Sequence, residues 1–186
     1  MRQYYLKSNK DLGQPRSISL ASKYVEEMAR MHPWFLKPFD QVRKILSVLT
    51  LDSDGEVDSL KRKVDRNGEI YYSIESEHYP LENGDMISYE ILKKLNSKDH
   101  VYEIRIKIKD HHGDNNCRIF MTINVESPYF VWTYGFTKQK GIYLYANMSA
   151  NRLTDVLAIA THRIFDNINF GDDTKFIGKA GERDEV

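Results

Sequence analysis

Arg105, Lys107 and Arg118 are the residues whose type and spacing could do chemistry. From Tyr102 to Lys109 apolar and polar residues alternate strictly, with Tyr102, Ile104, Ile106 and Ile108 on one face and Glu103, Arg105, Lys107 and Lys109 on the other. A half-buried strand follows. From Cys117 to Val125 the alternation repeats, and Arg118, Phe120, Thr122 and Asn124 fall opposite the apolar set. If the two strands are neighbours, Arg118 can share a face with Arg105 and Lys107. Cationic side chains held around one phosphate stabilise the charge that builds up on it during in-line transfer. The plain alternative is structural: Arg105 or Arg118 pairs with a carboxylate, and Lys107 and Lys109 are ordinary surface lysines. Glu103, two residues from Arg105, could orient it.

Other reactive side chains carry less. His111, His112 and His162 titrate in the right range for proton transfer, but a histidine pair in a turn and a lone histidine on a helix usually face solvent. Cys117, the single cysteine, lies on the apolar side of its strand and reads as a buried structural thiol rather than a nucleophile. Asp52-Ser-Asp54-Gly55 looks like the start of a calcium loop, yet the position that should hold the bidentate glutamate is Lys63. No metal site and no cofactor motif is expected.

The elements that must position these residues can be laid out in chain order. A strand is expected at Arg2–Leu6, a helix from Ser17 or Ser19 to Met31, and, past Pro33, a second helix from Trp34 to Leu49. Leu20, Tyr24, Met28 and Met31 on the first, and Phe35, Phe39, Val42, Ile45, Leu46 and Leu49 on the second, give apolar stripes for a helical hairpin lying on the sheet. The stretch 51–91 is too long for a structureless loop in a compact domain. Val57–Val64 and Glu69–Ser76 should pair across Asn67-Gly68, because Asn-Gly supplies the positive φ angles of a hairpin turn. His111–Asn116 then connects the first two main strands, Ser127-Pro128 marks the next turn, and the aromatic, β-branched stretch Tyr129–Phe136 makes a third strand. A C-terminal helix spans Ser149–Asn167, with Asn147 or Ser149 as N-cap and Leu153, Val156, Leu157, Ala160 and Ile164 as its apolar face. Residues 1–167 form one domain in this reading, and the charged, apolar-poor 168–186 is a mobile tail.

Charge is unevenly spread along a chain whose formal net charge is zero. Net values are +5 for residues 1–50, −7 for 51–91, +4 for 92–145 and −2 for 146–186. Without the acidic stretch the chain would be moderately basic, as a surface that exchanges counterions for phosphate contacts needs to be. An acidic insertion could also lie across a basic cleft and compete with nucleic acid. The opening MRQYYLKSNK is too polar for a signal peptide, no apolar run approaches the roughly 20 residues of a membrane span, and a lone cysteine suits a reducing compartment. A cytoplasmic protein without membrane contact is expected.

Four short motifs occur in order: Leu92-Lys-Lys-Leu95, Val101-Tyr-Glu-Ile-Arg-Ile106, Arg118-Ile-Phe120 and Tyr134-Gly-Phe-Thr-Lys-Gln-Lys140. Together they resemble the RelE/HigB-type toxins of type II toxin-antitoxin systems, members of the RelE/ParE superfamily, and in particular their phage-derived branch. The resemblance implies an α+β, RelE/ParE-like fold: an N-terminal strand and helical hairpin packed on an antiparallel sheet, a C-terminal helix, and here an inserted segment between the second helix and the main sheet. It implies a metal-independent endoribonuclease, an mRNA interferase that cleaves mRNA on the ribosome and inhibits translation. Its partners would be mRNA, the ribosome and a cognate antitoxin protein of helix-turn-helix type. Arg118, Arg105, Lys138, Lys140 and Tyr143 are then the implied catalytic set, with Lys107, Lys109, Tyr145 and His111 as RNA-binding residues. Two other functions stay open on the same fold: a ParE-like toxin that poisons DNA gyrase, and a degenerate, non-catalytic binding module.

Overall fold

The structure, a computed structural model, describes residues 1–6, 18–48, 60–68, 70–80, 86–95, 98–110, 113–124, 129–138, 148–167 and 176–179. The chain is α+β. Strands β1 (Arg2–Leu6) and β2 (Ile18–Leu20) precede helix α1 (Ala21–Met31), a 3-10 turn at Pro33–Phe35 and helix α2 (Leu36–Val48). Strands β3 (Leu60–Val64), β4 (Ile70–Glu75), β5 (Tyr79–Pro80), β6 (Met86–Ile87) and β7 (Glu90–Lys94) follow. The main strands β8 (Val101–Asp110), β9 (Gly113–Asn124) and β10 (Tyr129–Lys138) come next, then helix α3 (Ala150–Asn167) and strand β11 (Phe176–Lys179).

One mixed sheet runs in the order β11-β1-β10-β9-β8-β7-β4-β3, while β5 and β6 pair separately. The expected antiparallel run is present from β10 to β3, but β1 lies parallel to the first half of β10, with Gln3 opposite Phe130 and Tyr5 opposite Trp132. A register shift between Trp132 and Gly135 divides β10. Past it, β2 pairs antiparallel with the second half, Ser19 opposite Gly135. This moves the start of α1: Ser19 does not open the helix but is a buried strand residue, and the helix begins at Ala21 without a side-chain cap.

Helices cover both faces of the sheet. Against one face, Tyr24 and Met28 of α1 and Phe39, Val42 and Leu46 of α2 pack on Tyr102, Ile104, Ile106, Cys117, Ile119 and Trp132. Gly135 is where α1 comes closest. A Cβ there would stand 2.2 Å from Tyr24 Cδ1, so only glycine lets the ring lie on the strand. The Tyr24 hydroxyl reaches Thr137 Oγ1 at 2.7 Å and ties helix to strand. Cys117 is fully buried in this layer, out of reach of any substrate.

Against the other face, α3 packs Leu153, Leu157 and Ala158 on Val101, Phe120, Tyr134 and Phe136. Ser149 caps it, accepting from the Arg152 N–H at 3.3 Å. The buried line of α3 differs from the expected one: Ala158 and Thr161 are buried, whereas Val156, Ala160 and Ile164 are only partly so. The reason is polar. Thr161 Oγ1 meets Thr133 Oγ1 at 2.9 Å, and Thr133 donates to the Phe120 carbonyl at 3.1 Å, which fixes the helix's rotation.

The inserted segment forms the expected hairpin and joins the main sheet. β3 and β4 pair antiparallel from Leu60 opposite Ile74 to Val64 opposite Ile70. Gly68 takes φ +83°, and the Asn67 N–H donates to Asp65 Oδ1 at 2.8 Å in the turn. Strand β7, which carries most of the Leu92–Leu95 motif, was hidden in the sequence and links the hairpin to β8. Residues 51–59, including the calcium-like stretch and the start of the expected strand at Val57, lie outside the described residues. Within the stretch expected to be a mobile tail, Phe176–Lys179 instead forms β11 on the outer edge of β1, with Leu6 opposite Phe176. That edge presents unpaired backbone groups, and a short strand satisfies them. No helix among the described residues is long and apolar enough to cross a membrane.

Candidate functional site

β8 and β9 place Arg105 directly opposite Arg118. Like charges at opposed positions of an antiparallel pair repel, so something must hold them there. Glu103 does. Its Oε1 accepts from Arg105 Nε at 2.6 Å and from Arg118 Nη1 at 2.9 Å, so one carboxylate oxygen bridges both guanidinium groups. The Glu103 side chain is 3% exposed, that of Arg118 13% and that of Arg105 30%. The triad therefore climbs from a buried carboxylate to a partly open guanidinium and carries a net positive charge.

Two atoms of the triad have no hydrogen-bond partner among the described residues, Glu103 Oε2 and Arg118 Nε. A buried polar atom without a partner costs free energy. Burial lowers the Arg118 guanidinium from its ordinary value; Glu103 opposes this, and Arg105 adds to it.

Lys138 joins the group from β10. Phe136 stands opposite Arg118 and Lys138 opposite Asn116, so the strand period of two puts Lys138 on the face of Arg118, one row along. Its Nζ donates to Asn151 Oδ1, in the first turn of α3, at 2.7 Å. Burial lowers the Lys138 ammonium, Arg118 lowers it further, Glu103 raises it and Arg105 again lowers it. Helix α3 covers the apolar end of this sheet face, and its N-terminal turn meets the cationic end.

The remaining expected residues divide. Lys107 is exposed, and its Nζ lies 4.8 Å from the centroid of the Tyr89 ring rather than with the arginines. Lys109 is on β8 opposite Asp114, but its side chain lies outside the described residues, as do Lys140, Tyr143, Tyr145, His111 and His112 altogether. His162 is on α3, roughly 16 Å along the helix from Asn151, with its Nε2 3.6 Å from Asp166 Oδ2. The structure does not bring it to the arginines.

Sequence reasoning missed three contributors. Lys93 stands opposite Glu103 on β7 and so shares its face. Asn151 holds Lys138, and Tyr89 lies under Lys107. Lys93 was visible inside the Leu92–Leu95 motif, but only the strand register assigns it a neighbour. Nothing local in the sequence marks Asn151 or Tyr89.

The described insertion does not cross this face. β3 and β4 continue the sheet beyond β7, which sets β4 three strand spacings, about 14 Å, from β9. Several of its charges are paired within the hairpin or with β7. Lys63 bonds Glu90 at 3.2 Å, Lys61 bonds Glu75 at 2.6 Å and Asp65 accepts from Lys94 at 2.6 Å.

Chemically, the face offers two fixed guanidinium groups, a lysine whose proton is held less tightly than usual, and a buried carboxylate that keeps them together. Among the described residues no three His, Cys, Asp or Glu side chains gather as a metal ion would require. In comparisons with family models, with curated proteins and with solved structures, nothing matches the chain.

Proposed function

We propose that this chain is a RelE/HigB-type toxin, a metal-independent endoribonuclease that cleaves mRNA on the ribosome in the cytoplasm and is restrained by a cognate helix-turn-helix antitoxin. One observation carries the reading: Arg105 and Arg118, chosen from alternation and motif order, stand opposite each other on neighbouring strands and converge on Glu103, with Lys138 in the next row. Guanidinium groups fixed in this way suit the equatorial oxygens of a phosphorane, where preorganised charge does most for the rate. Lys138, with its lowered proton affinity, is the group to protonate the leaving 5′-oxygen. Further support comes from the layout. An N-terminal strand, a helical hairpin on the sheet, an antiparallel run and a C-terminal helix are what a RelE/ParE-like fold requires.

The reading is tested by inducing the protein in growing bacteria and mapping transcript ends. Growth should stop, new ends should fall inside translated regions, and Arg118→Ala should abolish both. Unslowed growth with intact transcripts contradicts it, and a DNA-damage response with intact transcripts points to gyrase instead. A second reading, a non-catalytic binding module of the same fold, is favoured by the Glu103 bridge itself, since the carboxylate occupies part of each guanidinium. RNA binding without cleavage by the wild-type protein would select it.

A further inference from the structure

Tyr89 is held unusually firmly for a half-exposed aromatic residue. Its carbonyl accepts from the Ser76 N–H at 2.8 Å, its own N–H donates to Ser76 Oγ at 3.0 Å, and its hydroxyl oxygen accepts from the Lys107 N–H at 3.3 Å. The inner side of the ring packs on the core shared by the sheet and the α1–α2 hairpin. Over the ring stands the Lys107 ammonium, 4.8 Å from the centroid, at the end of an exposed and flexible stem. Burial raises the phenol above its ordinary value, so the ring is neutral at physiological pH. A firmly held aromatic plate with a lysine ammonium over it has the two parts of a nucleotide subsite, a surface for a base and a charge for its phosphate.

Its position adds to this. Lys107 is two residues beyond Arg105 on β8, a step of about 6.8 Å, comparable to the spacing of successive phosphates in an extended single strand. A duplex cannot lay an unpaired base on the ring, whereas a single strand can splay one out.

We propose that Tyr89 and Lys107 form a binding subsite for one unpaired nucleotide of single-stranded RNA, adjacent to the phosphate held at Arg105 and Arg118, with the base stacked on Tyr89 and its phosphate on Lys107. The proposal rests on the RNA reading above and adds to it a second point of contact. Lys107 leaves the ring when the nucleotide arrives, exchanging a cation–π contact for a phosphate.

The test is equilibrium binding of a short single-stranded RNA carrying 2-aminopurine, with 2′-O-methyl groups so that it cannot be cut, to the full chain at several salt concentrations. Stacking predicts quenched fluorescence, affinity about ten-fold weaker in Tyr89→Leu, and near-wild-type affinity in Tyr89→Phe, which keeps the ring. Lys107→Gln should reduce the slope of log affinity against log salt by about 0.7. Should Tyr89→Leu fail to fold, the exposed Lys107→Gln variant carries the test alone. Wild-type affinity and salt slope in both variants would overturn the subsite while leaving RNA binding at the arginines intact. An oligonucleotide that does not bind the wild-type chain even at low salt would overturn the RNA reading and the subsite with it.

Discussion

The sheet carries two groups of charges that look alike in sequence and differ in arrangement. Around the inserted hairpin, three lysines each meet a carboxylate: Lys61 with Glu75 inside it, Lys63 with Glu90 of β7, and Lys94 of β7 with Asp65. On β8 and β9, two guanidinium groups share one carboxylate oxygen, the carboxylate is buried, and among the described residues neither Glu103 Oε2 nor Arg118 Nε has a partner. Matched pairs cancel their own charge, and a half-exposed one such as Lys61–Glu75 dresses the sheet surface. An excess of fixed positive charge around a buried anion does neither; it leaves attraction over for a ligand. The difference teaches which cations of a basic chain to suspect: those the protein gathers without neutralising.

The comparison can be broken most forcefully at Glu103. Replacing it with alanine leaves two opposed guanidinium groups with nothing between them, and should cost about 3 to 5 kcal/mol in urea denaturation, as loss of one partner of a buried ion pair does. A loss under 1 kcal/mol would mean that the bridge holds nothing. At Lys138 the effect falls on rate rather than stability. Lys138→Ala should slow cleavage about 100-fold, the usual scale for a positioned proton donor. Because burial and Arg118 lower the wild-type ammonium, the basic limb of its pH–rate profile should lie below the ordinary lysine range of about 10.4. A basic limb at or above that value contradicts the assignment.

On the hairpin and β7 the effects should be smaller and should depend on acid. Burial pushes the Glu90 carboxyl up, but hydrogen bonds from Ser73 and Lys63 more than offset it, so the group is held below its ordinary value. A carboxyl more acidic in the folded than in the unfolded chain contributes stability above its unfolded value, and the contribution is lost as pH falls through the folded one. Glu90→Gln should therefore destabilise the protein at pH 7, and the difference should shrink as acid protonates the folded carboxyl. The gap at pH 7 should stay under about 1 kcal/mol, the scale of a partly exposed pair. The smallest effect belongs to Lys61→Met, which removes a half-exposed partner of Glu75 and should shift stability by about 0.5 kcal/mol or less. A loss at Lys61 as large as that at Glu103 would erase the distinction between the two groups.

Much of the fold was legible because period-two alternation in Tyr102–Lys109 and Cys117–Val125 leaves few other structures open. Helical spacing in α1, α2 and α3, and Asn67-Gly68 between two short runs, are signals of the same local kind. What stayed hidden depends on partners distant in the chain. Ser19 looks like the start of a helix until β10 pairs with it, and Phe176–Lys179 look like tail until β1 offers an edge. Glu103 shows the limit most clearly. Alternation put it on the polar face with Arg105, but only the register with Arg118 turns a surface glutamate into a buried bridge.

The central claim is that the paired arginines act on RNA and do not merely brace the sheet. It is tested most directly by adding purified wild-type protein and Arg118→Ala, each shown to be folded by its thermal melt, to a translating extract and measuring mRNA cleavage. The account predicts rapid cutting by the wild type and a loss of at least about 100-fold in the variant. Uncut mRNA with the wild type, or equal cutting by both proteins, would contradict it.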